Sequence, residues 1–192
     1  MAAIDQSLSK GQPKHMADEK KEPWLNHMAL ATVILAVCAT LSTFKGGSYS
    51  TQSVINQSLA SDQWAFYQAK STKQHLHELQ IDQFRLQAMT VPSGSPAAAA
   101  YARKIEDYQG QVERYAQEKK TIESEARALE AQRDSAKLHG KPFGIAVMFL
   151  QVAILLNSIS GLMKAKRVWW AAIPVGLVGL GYFANGFFAI YS

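Results

Sequence analysis

Few side chains in this sequence have the residue types and the spacing that chemistry requires. His75 and His77 are two residues apart, so on a helix they point to different faces and cannot bind one metal ion together. His75 and Glu78 could share an ion, but two ligands form only a weak site. The sequence has no Gly-rich phosphate loop, no nucleophile elbow and no haem-attachment pair. We therefore expect a chain that is not an enzyme and that needs no cofactor and no metal.

Three other polar residues lie inside long apolar stretches. They are Gln151, Asn157 and Asn185, and no Asp, Glu, Lys, Arg or His lies in the interior of these stretches. Proton relays and ion-coupled transport need titratable groups at membrane depth, so an active transporter is disfavoured. The three amide side chains are expected to join helices by hydrogen bonds. The alternative is that Asn157 and Gln151 from several subunits line a narrow pore.

Three apolar segments are long enough to cross a bilayer as helices. They are predicted at 24–44, at 142–163 and at 168–192 including the C-terminus, and each exceeds the roughly 18 apolar residues that mark a membrane span. The first segment could instead be a cleaved or lipidated signal that ends at Cys38. However, Val37 is bulky for a lipid-attachment box, and the apolar run continues to Phe44. Both observations favour a span that is retained.

The polar remainder consists mainly of a tail, residues 1–23, and a large segment, residues 45–141. This segment carries 13 Lys and Arg against 11 Asp and Glu, so the net charge of +5 for the whole chain does not indicate a nucleic-acid partner. The short loop 164–167 contains three cations, and the tail contains four Lys. By the positive-inside rule, the tail and this loop are expected on the cytoplasmic side, with segment 45–141 and the C-terminus outside.

Segment 45–141 is predicted to form an antiparallel coiled-coil hairpin. The first helix is expected from about 50 to 89, after a helix break at Gly46 and Gly47, and residues 91–96 form the turn. The second helix is expected to end near 139, closed by Gly140 and Pro142. Its heptad seam consists of Ile105, Tyr108, Val112, Tyr115, Lys119, Ile122, Ala126, Leu129, Arg133 and Ala136. The predicted fold class is all-α, with this hairpin inserted between the first and second of three transmembrane helices.

The first hairpin helix has more apolar surface than one partner helix can cover. Its predicted facing stripe consists of Ala65, Ala69, Thr72, Leu76, Leu79 and Leu86. A second set lies off this stripe and consists of Ile55, Leu59, Trp64, Phe66, Tyr67, Ile81 and Phe84. A second apolar face is typical of an interface, so we expect this set to contact another copy or a partner. Alternatively, these rings lie on the bilayer surface or fold over the hairpin end.

Three short motifs occur close together after the first apolar segment. They are FKGG at 44–47, SDQW at 61–64 and YQAK at 67–70. In these motifs the chain resembles a bacterial membrane-protein family that is catalogued as a domain of unknown function. The resemblance covers the chain from about Pro23 onward. It implies a multi-pass protein of the bacterial inner membrane, and it implies no activity. With the orientation expected from the positive-inside rule, the hairpin and the C-terminus would lie in the periplasm.

Two hypotheses about function follow from these features. The first is a non-enzymatic membrane scaffold or accessory subunit that is embedded in lipid. It would self-associate, organise a larger membrane complex through the coiled-coil hairpin, or do both. The second is a homo-oligomeric ion channel, or a stator-like subunit, with a pore lined by polar residues of the second span. A stator-like mechanism would need a titratable residue supplied by another protein.

The predicted orientation can be tested with a cysteine at the tip of the hairpin. In a Cys38→Ser background, we expect Ser93→Cys to react with a membrane-impermeant maleimide in intact cells, because the turn is expected outside the cytoplasm. Mass tagging on a gel measures the reaction. Labelling that occurs only after permeabilisation would invert the orientation.

Overall fold

The computed structural model describes residues 23–188, which form three α-helices. They are α1 (Pro23–Ala88), α2 (Pro96–Met163) and α3 (Lys166–Phe188). No strand occurs within residues 23–188, so the predicted all-α class is confirmed for this part of the chain. Each helix contains a stretch that is long and apolar enough to cross a membrane. The predicted tail, except for Pro23, and residues 189–192 of the third apolar segment lie outside the described residues.

Helices α1 and α2 run antiparallel and contact each other from end to end. Near the N-terminus of α1 and the C-terminus of α2, the Asn157 side chain donates a hydrogen bond to the Thr32 hydroxyl. Next to the turn, the rings of Phe84 and Tyr101 lie 6.1 Å apart. The two helices contain 66 and 68 residues, so each is about 100 Å long. A single helix pair therefore forms both the apolar end of the molecule and its polar part, residues 45–141, which we call the stalk.

The turn between α1 and α2 contains the residue types that end one helix and start the next. Gly94 has φ +83°, a left-handed conformation that costs glycine little. Ser95 is the N-cap of α2, and its hydroxyl oxygen accepts a hydrogen bond from the Ala98 N–H at 3.2 Å. Pro96 follows at the first helical position, where its missing N–H has no cost.

The predicted helix breaks at Gly46-Gly47 and at Gly140 to Pro142 are wrong. Both sites lie inside continuous helices, α1 and α2 respectively. Pro142 removes one backbone hydrogen bond from α2, a cost that packing against a long partner helix can offset. The helix-breaking tendency of glycine is also small, about 1 kcal/mol per residue. Tertiary packing therefore overrides local propensity at both positions.

The glycines at these positions allow the two helices to approach closely. A Cβ atom at Gly46 would lie 3.1 Å from the Cβ of Phe143, and one at Gly140 would lie 3.2 Å from the Cβ of Tyr49. Phe143 is fully buried, and its ring lies 6.1 Å from that of Tyr49. We call Gly46, Tyr49, Gly140 and Phe143 the crossing cluster. Each glycine makes room for an aromatic residue of the opposite helix.

Helix α3 packs mainly against the apolar part of α2. A short connection precedes it, in which the Ser160 hydroxyl donates to the Ala165 carbonyl at 3.0 Å. Gly179 lies against Leu150, and Gly186 lies against the ring of Phe143. The buried core between the three helices consists of Leu35, Ala39, Ala146, Leu150 and Ala153.

Two glycines in α3 provide a matched test of this packing. A Cβ atom at Gly179 would lie 2.9 Å from Leu150 Cγ, whereas one at Gly181 would meet nothing within 4 Å. We expect Gly179→Ala to lower the free energy of unfolding by about 1–3 kcal/mol, because α3 must move away from α2. Gly181→Ala should be neutral or stabilise by up to about 1 kcal/mol. Reversible unfolding in mixed detergent micelles measures both, and equal effects would contradict this packing.

Candidate interaction surface

The predicted heptad seam of α2 lies against α1. All ten seam residues are buried or half-buried, and Ala126 is completely buried. The residues between them on the opposite side of α2 are exposed and mostly polar. The seven-residue spacing of α2 therefore identifies its packing face correctly.

The face of α1 that contacts α2, which we call the inner face, combines aromatic and polar side chains. The Trp64 indole N–H donates to the Glu130 carboxylate at 3.0 Å. The inner face includes the buried residues Ser53, Asn56, Ala60 and Ile81, together with the half-buried Trp64, Tyr67, His77 and Phe84. Its rings pack against tyrosines of α2, as in the stack of Phe84 on Tyr108 at 5.7 Å. Much of this packing is thus aromatic and not aliphatic.

One ion pair and several lysine contacts join the two helices in the middle of the inner face. The Lys70 ammonium lies 2.6 Å from a Glu118 carboxylate oxygen and 5.3 Å from the centre of the Tyr115 ring. The hydrogen bond from Lys70 is the main reason why the pKa of Glu118 is below its usual value. Lys119 lies over the Tyr67 ring and close to the Ser71 hydroxyl, 3.4 Å away. These contacts hold both helices in one register.

The two histidines that were considered as metal ligands lie apart, as predicted. His77 is stacked between the rings of Tyr108 and Tyr115, at 5.1 and 5.6 Å. His75 is exposed and contacts Glu78 at 2.8 Å, and this hydrogen bond is the main reason why the pKa of Glu78 is lowered. Within the described residues, no group of three or more His, Cys, Asp or Glu side chains could hold a metal ion.

Outside the inner face, α1 carries an exposed apolar stripe, which we call the outer stripe. Given about 100° per residue, Leu59 and Phe66 lie roughly 80–100° around the helix from the centre of the inner face, whereas Leu79 and Leu86 lie nearly opposite it. Each member is between 45% and 65% exposed. The outer stripe consists of Ile55, Leu59, Phe66, Leu76, Leu79 and Leu86. Within residues 23–188, no part of the chain covers it.

The structure corrects the prediction of which α1 residues face α2. The predicted facing residues Ala65, Ala69, Thr72, Leu76, Leu79 and Leu86 are all exposed. Of the set predicted to form an interface, Trp64, Tyr67, Ile81 and Phe84 pack inside the hairpin, whereas Ile55, Leu59 and Phe66 are exposed. The error arose because the stripe richest in leucine was assigned to the inside. The tyrosines of α2 instead pack against rings and long polar side chains.

The outer surfaces of the two stalk helices differ strongly in charge. Between residues 45 and 88, α1 carries seven charged residues, and between residues 96 and 141, α2 carries seventeen. Two of the seven, Lys70 and Glu78, lie on the inner face. The side of the stalk formed by α2 is therefore highly charged, whereas the outer stripe of α1 is apolar.

The three amide residues of the apolar stretches do not share one surface. Asn157 is 3% exposed, and its Nδ2 donates to the Thr32 hydroxyl at 3.1 Å. Gln151 is exposed, and it lies about 120° from Asn157 around α2. Asn185 is half-buried on α3. The hydrogen bond of Asn157 joins two helices, as expected, and the separation of Asn157 from Gln151 does not favour one pore lined by both.

Sequence reasoning missed several residues that hold this surface in place. Among them are Gly46 and Gly140 as packing residues, Thr32 as the partner of Asn157, and the pair of Lys70 and Glu118. A usable signal was present in the turn. Because both helices rise equally per residue, residues at similar distances before and after Gly94-Ser95 must face each other. This rule pairs Gly46 with Phe143 and Gly140 with Tyr49. It also pairs Thr32 with Asn157, and Lys70 with Glu118.

Of three comparisons with known proteins, one found a match. A family model described as "Domain of unknown function (DUF4337)" matches residues 24–189. The chain belongs to this family. The DUF4337 match extends over all three helices, so the hairpin and α3 belong to one family domain. Neither the search of curated proteins nor the search of solved structures found a match.

A pair of neighbouring residues tests which side of α1 faces α2. Ile81 is 6% exposed and Leu79 is 65% exposed. We expect Ile81→Ala to destabilise the hairpin by about 2–4 kcal/mol, because it leaves a cavity between the helices. Leu79→Ala should change stability by less than about 0.5 kcal/mol in the monomer. Chemical denaturation followed by circular dichroism measures both changes in stability. A larger effect at Leu79 would support the stripe that the sequence predicted to face α2.

Proposed function

We propose that this DUF4337 protein is a non-enzymatic integral membrane scaffold or accessory subunit that self-associates through the outer stripe of α1. In this proposal the three apolar segments cross the bacterial inner membrane, and the stalk is a coiled coil that projects into the periplasm. The observation that carries the proposal is the outer stripe itself. A row of six exposed apolar side chains on one helix is typical of an interaction site.

The bilayer surface cannot cover most of the outer stripe. If the first span ends near Phe44, Leu76 lies about 48 Å farther along α1. That distance exceeds the hydrocarbon thickness of a whole bilayer, about 30 Å. Only Ile55 and Leu59 are close enough to the membrane for such contact. The remaining residues need another protein surface.

A second copy of the chain fits the outer stripe for geometric reasons. Two copies anchored in one membrane present the same residues at the same height, so Phe66 of one lies level with Phe66 of the other. Confinement to the membrane also raises the effective concentration of one copy near another. The charged side of α2 would lose solvation against an apolar stripe, so it is a poor alternative. Contact through α1 leaves this charged side free to bind a larger complex.

Charge substitutions on the two sides of the stalk test the proposal. We expect Phe66→Glu combined with Leu76→Glu to disperse the oligomer, because each substitution would bury an unpaired carboxylate. The matched control is Ala128→Glu combined with Ala131→Glu, two exposed positions of α2. Mass measurement of complexes extracted in mild detergent, by native mass spectrometry, reads out assembly and any co-purifying partner.

Three outcomes are informative. Loss of assembly in the α1 variant alone supports the outer stripe as the interface. Loss in both variants, or in neither, contradicts it. A wild-type protein that is monomeric and has no co-purifying partner would overturn the proposed scaffold function.

A further inference from the structure

A groove of about 410 Å³ lies between α1 and α2, where the stalk meets the apolar end of the molecule. Its walls include Gly46, Ser50 and Ser53 of α1, and Lys137, Gly140 and Gly144 of α2. Most of these residues are small, which leaves space beside the crossing cluster. The volume lies within the range of small-molecule sites, about 300–1,000 Å³.

The Ser53 side chain in the wall of this groove lacks a hydrogen-bond partner. Ser53 is only 6% exposed, and within residues 23–188 its hydroxyl neither donates nor accepts a hydrogen bond. Unlike the hydroxyl oxygen of Ser42, which is completely enclosed, the Ser53 oxygen can be reached from the groove. A buried hydroxyl without a partner is costly. Ser53 therefore favours a ligand that accepts a hydrogen bond in the groove.

Three lysines lie at or beside the groove, in a part of the chain without acidic residues. Lys137 lines the groove, Lys141 lies one turn farther along the same side of α2, and Lys45 directly precedes the first groove residue of α1. Residues 23–61 and 135–188 contain no Asp and no Glu. The charge around the groove is therefore positive.

The carboxylate nearest to Lys137 along α2 already has a partner. It belongs to Asp134, whose two oxygens accept hydrogen bonds from Arg133 at 2.8 and 2.9 Å. These bonds are the main reason why the pKa of Asp134 is lowered. The charge of Asp134 is thus balanced by Arg133. An anion in the groove would be attracted by Lys137 and could accept the hydrogen bond that Ser53 has to offer.

The position of the groove favours a phospholipid over a free anion. The first apolar segment ends at Phe44 and the second begins at Pro142, so the groove lies at their common margin. If both segments cross a bilayer, this margin is at the level of the lipid headgroups. An exposed apolar track on one side of α2 leads from the groove into the apolar end. It consists of Gly144, Met148, Val152 and Leu155. The acyl chains of a lipid held in the groove would lie along this track.

We propose that this groove binds the headgroup of an anionic phospholipid, whose phosphate accepts hydrogen bonds from the Lys137 ammonium and the Ser53 hydroxyl. This inference rests on the proposed location of the chain in a membrane. Basic pockets between membrane helices bind anionic headgroups by the same combination of charge and hydrogen bonds. Lys45 and Lys141 add positive charge at the rim, and the glycines of both walls leave space for the headgroup.

The test titrates the full-length protein in mild detergent with dioleoylphosphatidylglycerol or dioleoylphosphatidylcholine and measures bound lipid by native mass spectrometry. We expect phosphatidylglycerol to bind about tenfold more tightly, because the choline cation of the other lipid is repelled by the lysines. Equal affinity for both lipids would overturn the proposal. Inorganic phosphate at the same concentration should not displace phosphatidylglycerol. Displacement would show that the groove is a site for a free anion and would also overturn the proposal.

A pair of serine variants tests the hydrogen bond. We expect Ser53→Ala to weaken phosphatidylglycerol binding about five- to tenfold, since one hydrogen bond to the phosphate is lost. Without lipid, the thermal midpoint of Ser53→Ala should not fall, because this hydroxyl has no partner within residues 23–188. Ser48→Ala, at an exposed position of α1 outside the groove, should change the affinity less than about twofold. Equal affinities of the two variants, or a lower midpoint for Ser53→Ala, would contradict the proposed role of Ser53.

Two further pairs of variants test the space and the charge. A Cβ atom at Gly144 or at Gly47 would meet nothing within 4 Å, so the fold tolerates a side chain at both positions. Gly144→Leu fills the groove and should weaken binding about tenfold or more, whereas Gly47→Leu, outside the groove, should not. Lys137→Gln should likewise weaken binding, in contrast to Lys166→Gln at the opposite margin of the apolar end. Undiminished binding in Gly144→Leu, or equal effects of the two lysine variants, would show that the lipid binds elsewhere.

Two controls test whether a second copy occupies the groove and whether the protein is in the membrane. Gly144→Cys, in a Cys38→Ser background, reports whether a second copy covers the groove, and efficient crosslinking between copies would overturn the proposal. Flotation with phosphatidylcholine vesicles tests membrane location separately. Protein that fails to float contradicts the proposed function, whereas protein that floats but does not distinguish the two lipids contradicts only this inference.

Discussion

The close approach of α1 and α2 at the crossing cluster is the constraint on which the rest of the structure depends. Gly46 and Gly140 leave room for Phe143 and Tyr49, so two helices of nearly 70 residues can touch without a break. Phe143 also contacts Gly186 of α3, which ties the third helix to the same point. Because α1 and α2 continue through this cluster, one helix pair connects the apolar end to the stalk without a break. A break at either glycine would uncouple them.

This continuity determines which residues are available for function. Once the crossing cluster and the turn set the register, the aromatic residues of the inner face of α1 pack against the tyrosines of α2. Within residues 23–188 the leucine-rich outer stripe is then left without a partner, and the charged side of α2 is directed away from it. The same register brings Asn157 beside Thr32, and within the described residues the Asn157 carbonyl oxygen has no donor. The outer stripe and the pairing of Asn157 with Thr32 are therefore two consequences of one helix alignment.

Individual residues show where sequence reasoning succeeded and where it failed. The seam of α2 could be read from the sequence because its apolar residues follow a single seven-residue repeat. The packing face of α1 could not, since Leu76 and Leu79 on one side compete with Ile81 and Phe84 on the other. Hydrophobicity alone favours the leucines, but ring stacking, the Trp64 hydrogen bond and the pair of Lys70 and Glu118 favour the other side. The glycines were misjudged because local propensity takes no account of the partner helix.

The sequence by itself determined the all-α class, the position of the turn, the three apolar segments and the packing face of α2. These features depend on local composition and on regular spacing, which remain visible in one chain read in order. Only the tertiary structure decided that both long helices are continuous, which side of α1 is exposed, and that Asn157 of α2 pairs with Thr32 of α1. These features depend on the distance between two helix backbones, and that distance is set by side chains far apart in the sequence.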